Sequence, residues 1–198
     1  MTPQPAFTRA DPDERRQSLI EACARVLAEK GAAGVSVRTI CAQAGVSPGL
    51  LRHYFAGVSE AIAETYRWVG ETIGMALEEA VAAAGSSPRA RLLAYLTASF
   101  RPPIASPELL ASYVAFWSLT RSDGAVAKVR AEIYGDYRKG LEQHIRALRP
   151  ELVDVRLPAV ALTALIDGLW LELSLGNAPF SAEEAEGLAE QWLDSLLG

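Results

Sequence analysis

The sequence predicts an all-α fold, and three observations carry that expectation. Apolar residues recur three or four positions apart through almost every segment, the spacing that lines one face of a helix. Helix starts and stops fall between these segments, among them the pairs Ser47-Pro48, Ser87-Pro88 and Ser106-Pro107, each placing a capping hydroxyl before a proline at the first helical position. No run shows the strict alternation that a strand requires. Half of the 198 residues are hydrophobic and the formal net charge is −5, an ordinary globular composition that excludes a generally basic nucleic-acid coat protein.

Taken in order, residues 1–12 hold three prolines and few apolar side chains, and read as a flexible arm. A helix starts at Asp13, with Leu19, Ile20, Cys23, Val26 and Leu27 in one stripe, and ends at Lys30-Gly31, a basic last turn followed by a capping glycine. After the Gly31–Val35 link, Ser36 has the hydroxyl favoured at an N-cap, and Val37, Ile40, Cys41 and Ala44 share one face of a short helix. Gly45 can take the left-handed conformation that ends it, and Val46 is an apolar wedge for the angle that follows. Ser47-Pro48 opens a second, shorter helix with Leu50 and Leu51 turned inward and Pro48, Gly49, Arg52 and His53 turned outward. Beyond Phe55 a long helix is expected over Ser59–Ala84, carrying Ile62, Tyr66, Val69, Ile73, Leu77 and Val81 on one side. Gly85-Ser86-Ser87-Pro88 breaks the chain, and the next helix runs to about Phe100, where Arg101-Pro102-Pro103 ends it. Ser106-Pro107 opens another that reaches about Arg121. A long one follows from Gly124 to near Leu148 and is stopped by Arg149-Pro150. The last two span about Val155–Leu175 and Ala182–Leu197, the second capped by Ser181 with Glu184 three residues on.

Two short helices joined only by a glycine turn, Ser36 to Phe55, form a helix-turn-helix, a shape suited to the DNA major groove. The charge distribution fits a small contact surface on an acidic body. The first 59 residues carry seven basic and five acidic side chains, which leaves twelve basic and nineteen acidic for the remainder. Cys23 and Cys41 sit among apolar residues and read as buried, reduced thiols. They lack zinc-ligand spacing, His53 and His144 are far apart, and no metal site is expected. No phosphate-cradling loop or nucleophile elbow points to an enzyme, and no cofactor is expected. The N-terminus has no apolar signal-like core, which favours the cytoplasm. The apolar stretch Leu157–Leu175 holds Asp167 and Glu172, and reads as a buried helix, not a membrane span.

In that stretch Leu162, Leu165, Leu169 and Leu173 belong to an apolar surface that covers nearly the whole circumference, so the helix must be covered on more than one side. Leu188, Trp192 and Leu196 form a narrower stripe on the final helix. Such a pair packs well against its own copy as a four-helix interface, and would equally serve as the core of one protomer. Dimer interfaces resemble a core cut in half, and a homodimer is the reading carried forward.

The Gly45-Val46-Ser47 turn, the short helix after it and His53-Tyr54-Phe55 before a long helix resemble the head of TetR-type transcriptional regulators. Phe116-Trp117, the Tyr134–Ile145 stretch, and Leu165-Ile166-Asp167-Gly168-Leu169-Trp170-Leu171 followed by Gly176 and Pro179-Phe180 resemble the BetI-like, choline-responsive subgroup. The resemblance implies a three-helix head and arm over residues 1–58, joined by a long linker helix to a ligand-binding and dimerisation body over residues 59–198. It further implies a homodimer that binds a palindromic double-stranded operator and is released by a small-molecule effector, away from any membrane. Arg38, Ser47, Pro48, Gly49, Arg52, His53 and Tyr54 are carried over as DNA contacts. Chemically, Arg52 suits guanine O6 and N7, Ser47 and Tyr54 suit phosphate oxygens, and Arg38 suits either. One departure stands out: a Tyr-Phe-x-x-Lys-Glu pattern is usual here, and Val58 occupies the position of its phosphate-binding lysine. A helical dimer with weak or lost DNA binding is therefore the alternative function.

For the effector, Tyr113, Trp117, Tyr134, Tyr137 and Trp170 with the Asp167 carboxylate have the makings of a cage for a cation such as a choline-like quaternary ammonium. Aromatic residues at helical spacing serve as plain core just as well.

Overall fold

In the computed structural model, which describes residues 12–198, the chain is all-α, with no strand among the described residues. The arm expected over residues 1–12 lies outside the described residues apart from Pro12, where α1 (Pro12–Lys30) begins. Its buried stripe is the expected one, and Gly31 (φ 62°) turns the chain out of it. After a 3₁₀ turn at Ala32–Gly34 come α2 (Val37–Ala44) and α3 (Pro48–Tyr54), then the linker α4 (Val58–Ala83). The body continues with α5 (Pro88–Thr97), α6 (Pro107–Leu119), α7 (Gly124–Leu148), α8 (Arg156–Ser174) and α9 (Ala182–Leu197). The bounds depart from expectation only at helix ends. Phe100 falls in a 3₁₀ turn, Ala98–Phe100, and α6 stops at Leu119.

Helix α1 packs on α2, α4 and α6, so the head is seated on two helices of the body. Helix α4 packs on α5 and α7, and α8 on α6, α7 and α9. Buried apolar side chains form one cluster from Leu19 and Ile40 in the head, through Tyr66 and Phe116, to Leu162 and Leu193 at the far end. At its centre the Tyr66 and Phe116 rings stack with centroids 4.3 Å apart and planes 7° from parallel.

By length and composition α8 is the one described helix apolar enough to cross a membrane, and within one protomer it is covered on one side. Ala159, Leu162, Thr163, Ile166 and Trp170 are buried, but the opposite side is open: Leu157 and Leu175 are 57% and 59% exposed, and Val160, Ala164, Gly168 and Leu171 are exposed between them.

Candidate DNA-reading head and ligand cavity

The head is fixed by local bonds that its residue types dictate. Thr39 N–H donates to Ser36 Oγ at 3.1 Å, while Ser36 N–H donates to Thr39 Oγ1 at 2.8 Å, a reciprocal cap on α2. Gly45 closes the helix in the left-handed region (φ 67°), and Val46 N–H returns to the Cys41 carbonyl at 2.9 Å. The Cys41 thiol donates to the Ser47 carbonyl at 3.6 Å, tying α2 to the start of α3. Leu51 and Phe55 are buried and Val46 packs against them; Leu50, expected inward, is only half-buried.

With those residues inside, Arg38, Ser47, Pro48, Gly49, Arg52 and His53 are all exposed. Tyr54 is half-buried, its ring edge-on to His53 with centroids 5.0 Å apart. Ser47 makes no side-chain cap bond, which leaves its hydroxyl for a partner outside the chain. Val58 is half-buried and packs against the core, and the Glu60 carboxylate accepts the Ala56 N–H at the start of α4. The first turn of α4 therefore presents a carboxylate and no cation.

Charged side chains connect this head to the body. The Arg16 guanidinium of α1 lies 5.3 Å from the centroid of the Phe55 ring, the cap of α3, and pairs with Glu64 of α4 at 2.5 Å. Glu64 also pairs with Arg67, which reaches Glu132 of α7 at 3.3 Å. Each pair is partly exposed and worth a fraction of a kcal/mol. Their importance is positional, because Arg67 and Glu132 both belong to the wall of a cavity.

That cavity, about 880 Å³, lies among α4, α5, α6, α7 and α8. Five of the six expected ligand residues line it: Tyr113, Tyr134, Tyr137, Asp167 and Trp170. Trp117 does not; it stands edge-on to Tyr113 with ring centroids 6.0 Å apart, outside the wall. Tyr113 in turn meets Trp170 edge-on at 4.7 Å. The Tyr134 hydroxyl donates to Asp167 Oδ1 at 3.1 Å. Burial pushes the Asp167 carboxyl up to about 6, against the lowering effect of that bond and of the Arg130 and Arg138 guanidinium groups. The Trp170 Nε1–H is buried and has no hydrogen-bond partner among the described residues.

Tyr95, Glu71 and Glu78 complete the wall around these residues. Tyr95 stacks on Tyr137 at 5.2 Å and donates its hydroxyl to the Tyr137 carbonyl at 3.2 Å. Glu71 and Glu78 line the α4 side. Two glycines let the helices approach: a Cβ on Gly70 would lie 2.6 Å from Ile133, and on Gly140 it would meet the Tyr95 hydroxyl.

Of the residues expected at a dimer interface, Leu162 is fully buried inside the protomer and cannot reach a second copy. Its place on the helix turns it toward the core, as it does Thr163 and Ile166. Leu165, Leu169, Leu173 and Leu188 are half-buried, while Trp192 and Leu196 are exposed, Trp192 by 51%. Helices α8 and α9 pack together, so Leu171, Leu175, Trp192 and Leu196 leave apolar side chains exposed on the paired helices.

Comparison with known proteins matches residues 19–60 to the tetR family of bacterial regulatory proteins and residues 88–198 to the C-terminal domain of BetI-type transcriptional repressors. The HTH-type transcriptional regulator BetI of Rhizobium meliloti (strain 1021) is 34% identical over 185 residues, 92% of this chain and 89% of the relative. A solved structure of a transcriptional regulator from Pseudomonas aeruginosa PAO1 superposes with a TM-score of 0.87 at 38% identity, covering 96% of this chain and 94% of the other. A regulator from Saccharomonospora viridis, solved in complex with choline, shares the fold with a TM-score of 0.77 at 19% identity, over 92% of this chain and 96% of that one.

Proposed function

The chain belongs to the TetR family of transcriptional regulators, in its BetI-type branch, and from that premise we propose a homodimeric repressor that binds a palindromic operator and is released by a small cationic effector. The observation that carries this reading is the pairing, in one protomer, of an exposed polar face on a tightly capped helix-turn-helix with an aromatic cavity holding a buried carboxylate. Residues 1–58 form the reading head and residues 59–198 the effector and dimer body in this proposal. A regulator of transcription acts where the DNA is, which places it in the cytoplasm. Arg52 and His53 address base edges, Arg38, Ser47 and Tyr54 fix the register on phosphates, and Pro48 and Gly49 keep the start of α3 slim enough for close approach.

The choline bound by the Saccharomonospora regulator and the chemistry of the cavity support the same effector class. Tyr113, Tyr134 and Trp170 offer ring surfaces and Asp167 the compensating charge. Footprinting of the purified protein on its own upstream DNA, with and without choline, tests the whole reading. Two equivalent protected half-sites that lose protection with choline support it; absence of any protected site favours the alternative of a ligand-binding dimer that has lost DNA binding.

The dimer has its own test. Trp192→Glu places a charge on the exposed face shared by α8 and α9, and is expected to convert a dimer to a monomer in sedimentation at micromolar concentration without unfolding the protomer. A variant that stays dimeric would remove this face from the interface. The departure at Val58 has another. Val58→Lys restores a phosphate-reaching cation at the start of α4 and is expected to steepen the plot of log affinity against log salt by about one unit per protomer; an unchanged slope counts against a DNA contact there.

A further inference from the structure

The cavity is longer than a small ammonium ion needs. Its α4 wall runs from Arg67 to Glu78, about 16 Å of helix, and its α7 wall from Val129 to His144, about 22 Å. Its volume of about 880 Å³ lies toward the top of the range that holds drug-sized molecules, roughly 300–1,000 Å³.

Acidic groups stand at two places along this length. Asp167 is bonded to Tyr134, and the contact of Gly70 with Ile133 puts Glu71 near the same row of α7. Glu78 stands further along α4 and lines the cavity with Tyr95, whose hydroxyl is pushed up first by burial and then by the Glu78 and Asp136 charges. Tyr95 occupies the space over Gly140 and lies 5.1 Å from the His144 ring, so the two rows are separated by about 9–15 Å of helix rise. Other carboxylates of the wall already have partners: Glu132 pairs with Arg67, and Asp136 with Lys139. Glu78 has no ion pair among the described residues. Between the rows, nothing lies within 4 Å of where a Gly74 side chain would start, and Met75 is 63% exposed. At the inner row Trp170 is only 6% exposed, so this end of the cavity is the enclosed one.

We propose that the cavity takes an elongated dication, with one ammonium head among Tyr113, Tyr134 and Trp170 at Asp167, a second at Glu78 and Tyr95, and an apolar spacer over Gly74 and Met75. This rests on the cation reading above and deepens it: a single small head satisfies one row and leaves the other empty. Linking two heads makes the second contact intramolecular, so affinity rises when the spacer matches the span and not otherwise.

The test titrates the full-length protein with tetramethylammonium, choline, hexamethonium and decamethonium, followed by tryptophan fluorescence and calorimetry. At least one bis-quaternary compound is expected to bind about tenfold or more tightly than tetramethylammonium. Glu78→Gln, a change at an exposed position, is expected to remove that advantage while leaving tetramethylammonium affinity within about twofold; Asp167→Asn is expected to weaken both. Equal affinities for single and double cations, or a preference that survives Glu78→Gln, overturn the dication while leaving the single-cation reading in place. Binding of none of the four overturns both.

Discussion

Replacing Arg52 with alanine is expected to weaken operator binding by about ten- to a hundredfold, the equivalent of about 1–3 kcal/mol for one bidentate base contact. Arg52 lies in the last turn of α3, is exposed, and has no ion pair among the described residues. Helix α3 buries Leu51 and packs Tyr54 against the core, so removing the exposed Arg52 guanidinium leaves the packing intact and the melting temperature nearly unchanged. The pattern of the loss matters as much as its size. If Arg52 reads guanine, Arg52→Ala loses affinity for the operator but little for unrelated DNA, and tolerates substitution at one position of each half-site. If it holds phosphate, binding to both DNAs falls together and the salt slope drops by about one per protomer. Anisotropy titrations on operator, point-substituted operator and unrelated duplex separate the two. A variant that binds the operator like the wild type would take Arg52 off the interface altogether.

Such a prediction is possible because the head was legible residue by residue. Ser36, Gly45 and the Ser47-Pro48 pair act within a few positions of themselves, through a cap, a left-handed turn and a fixed φ, so local chemistry sets the geometry. The body was legible as helices but not as faces. Helix α8 is apolar on nearly every side, and nothing in its pattern says that Leu162 enters the protomer core while Leu157 and Leu175 remain outside. The rotation is decided by α6, α7 and α9, which pack against it from elsewhere in the chain. The cavity shows the same limit. Trp117 and Trp170 read alike as aromatic walls in the sequence, and Tyr113 meets both edge-on, yet Trp170 lines the cavity and Trp117 does not. Glu71 and Glu78 read as the solvated side of a linker helix until α7 is placed opposite, and Gly70 and Gly140 gain their meaning from Ile133 and Tyr95 on other helices.

Asp167→Asn is expected to lower the affinity for choline-like cations by about thirtyfold or more, since losing one member of a largely desolvated charge pair costs about 2 kcal/mol at the least. The substitution keeps an acceptor for the Tyr134 hydroxyl, and it removes a charge that burial already penalises. The variant should therefore be at least as stable as the wild type at neutral pH, and a melting curve separates lost binding from lost structure. The acidity of Asp167 gives a second, independent signature. With its pKa raised to about 6 by burial, the carboxyl is mostly neutral at pH 5 and mostly ionised at pH 7. A cation binds the ionised form, so wild-type affinity should rise by about tenfold across that interval and level off above it, with a proton released on binding at the acidic end. The Asn variant has nothing to titrate there and should show a flat profile. Because the coupling between effector and operator is reciprocal, saturating operator should weaken cation binding by the same factor that the cation weakens operator binding, and in the wild type both should fade together as pH drops below 6. An affinity that instead strengthens on acidification would exclude a simple cation at Asp167.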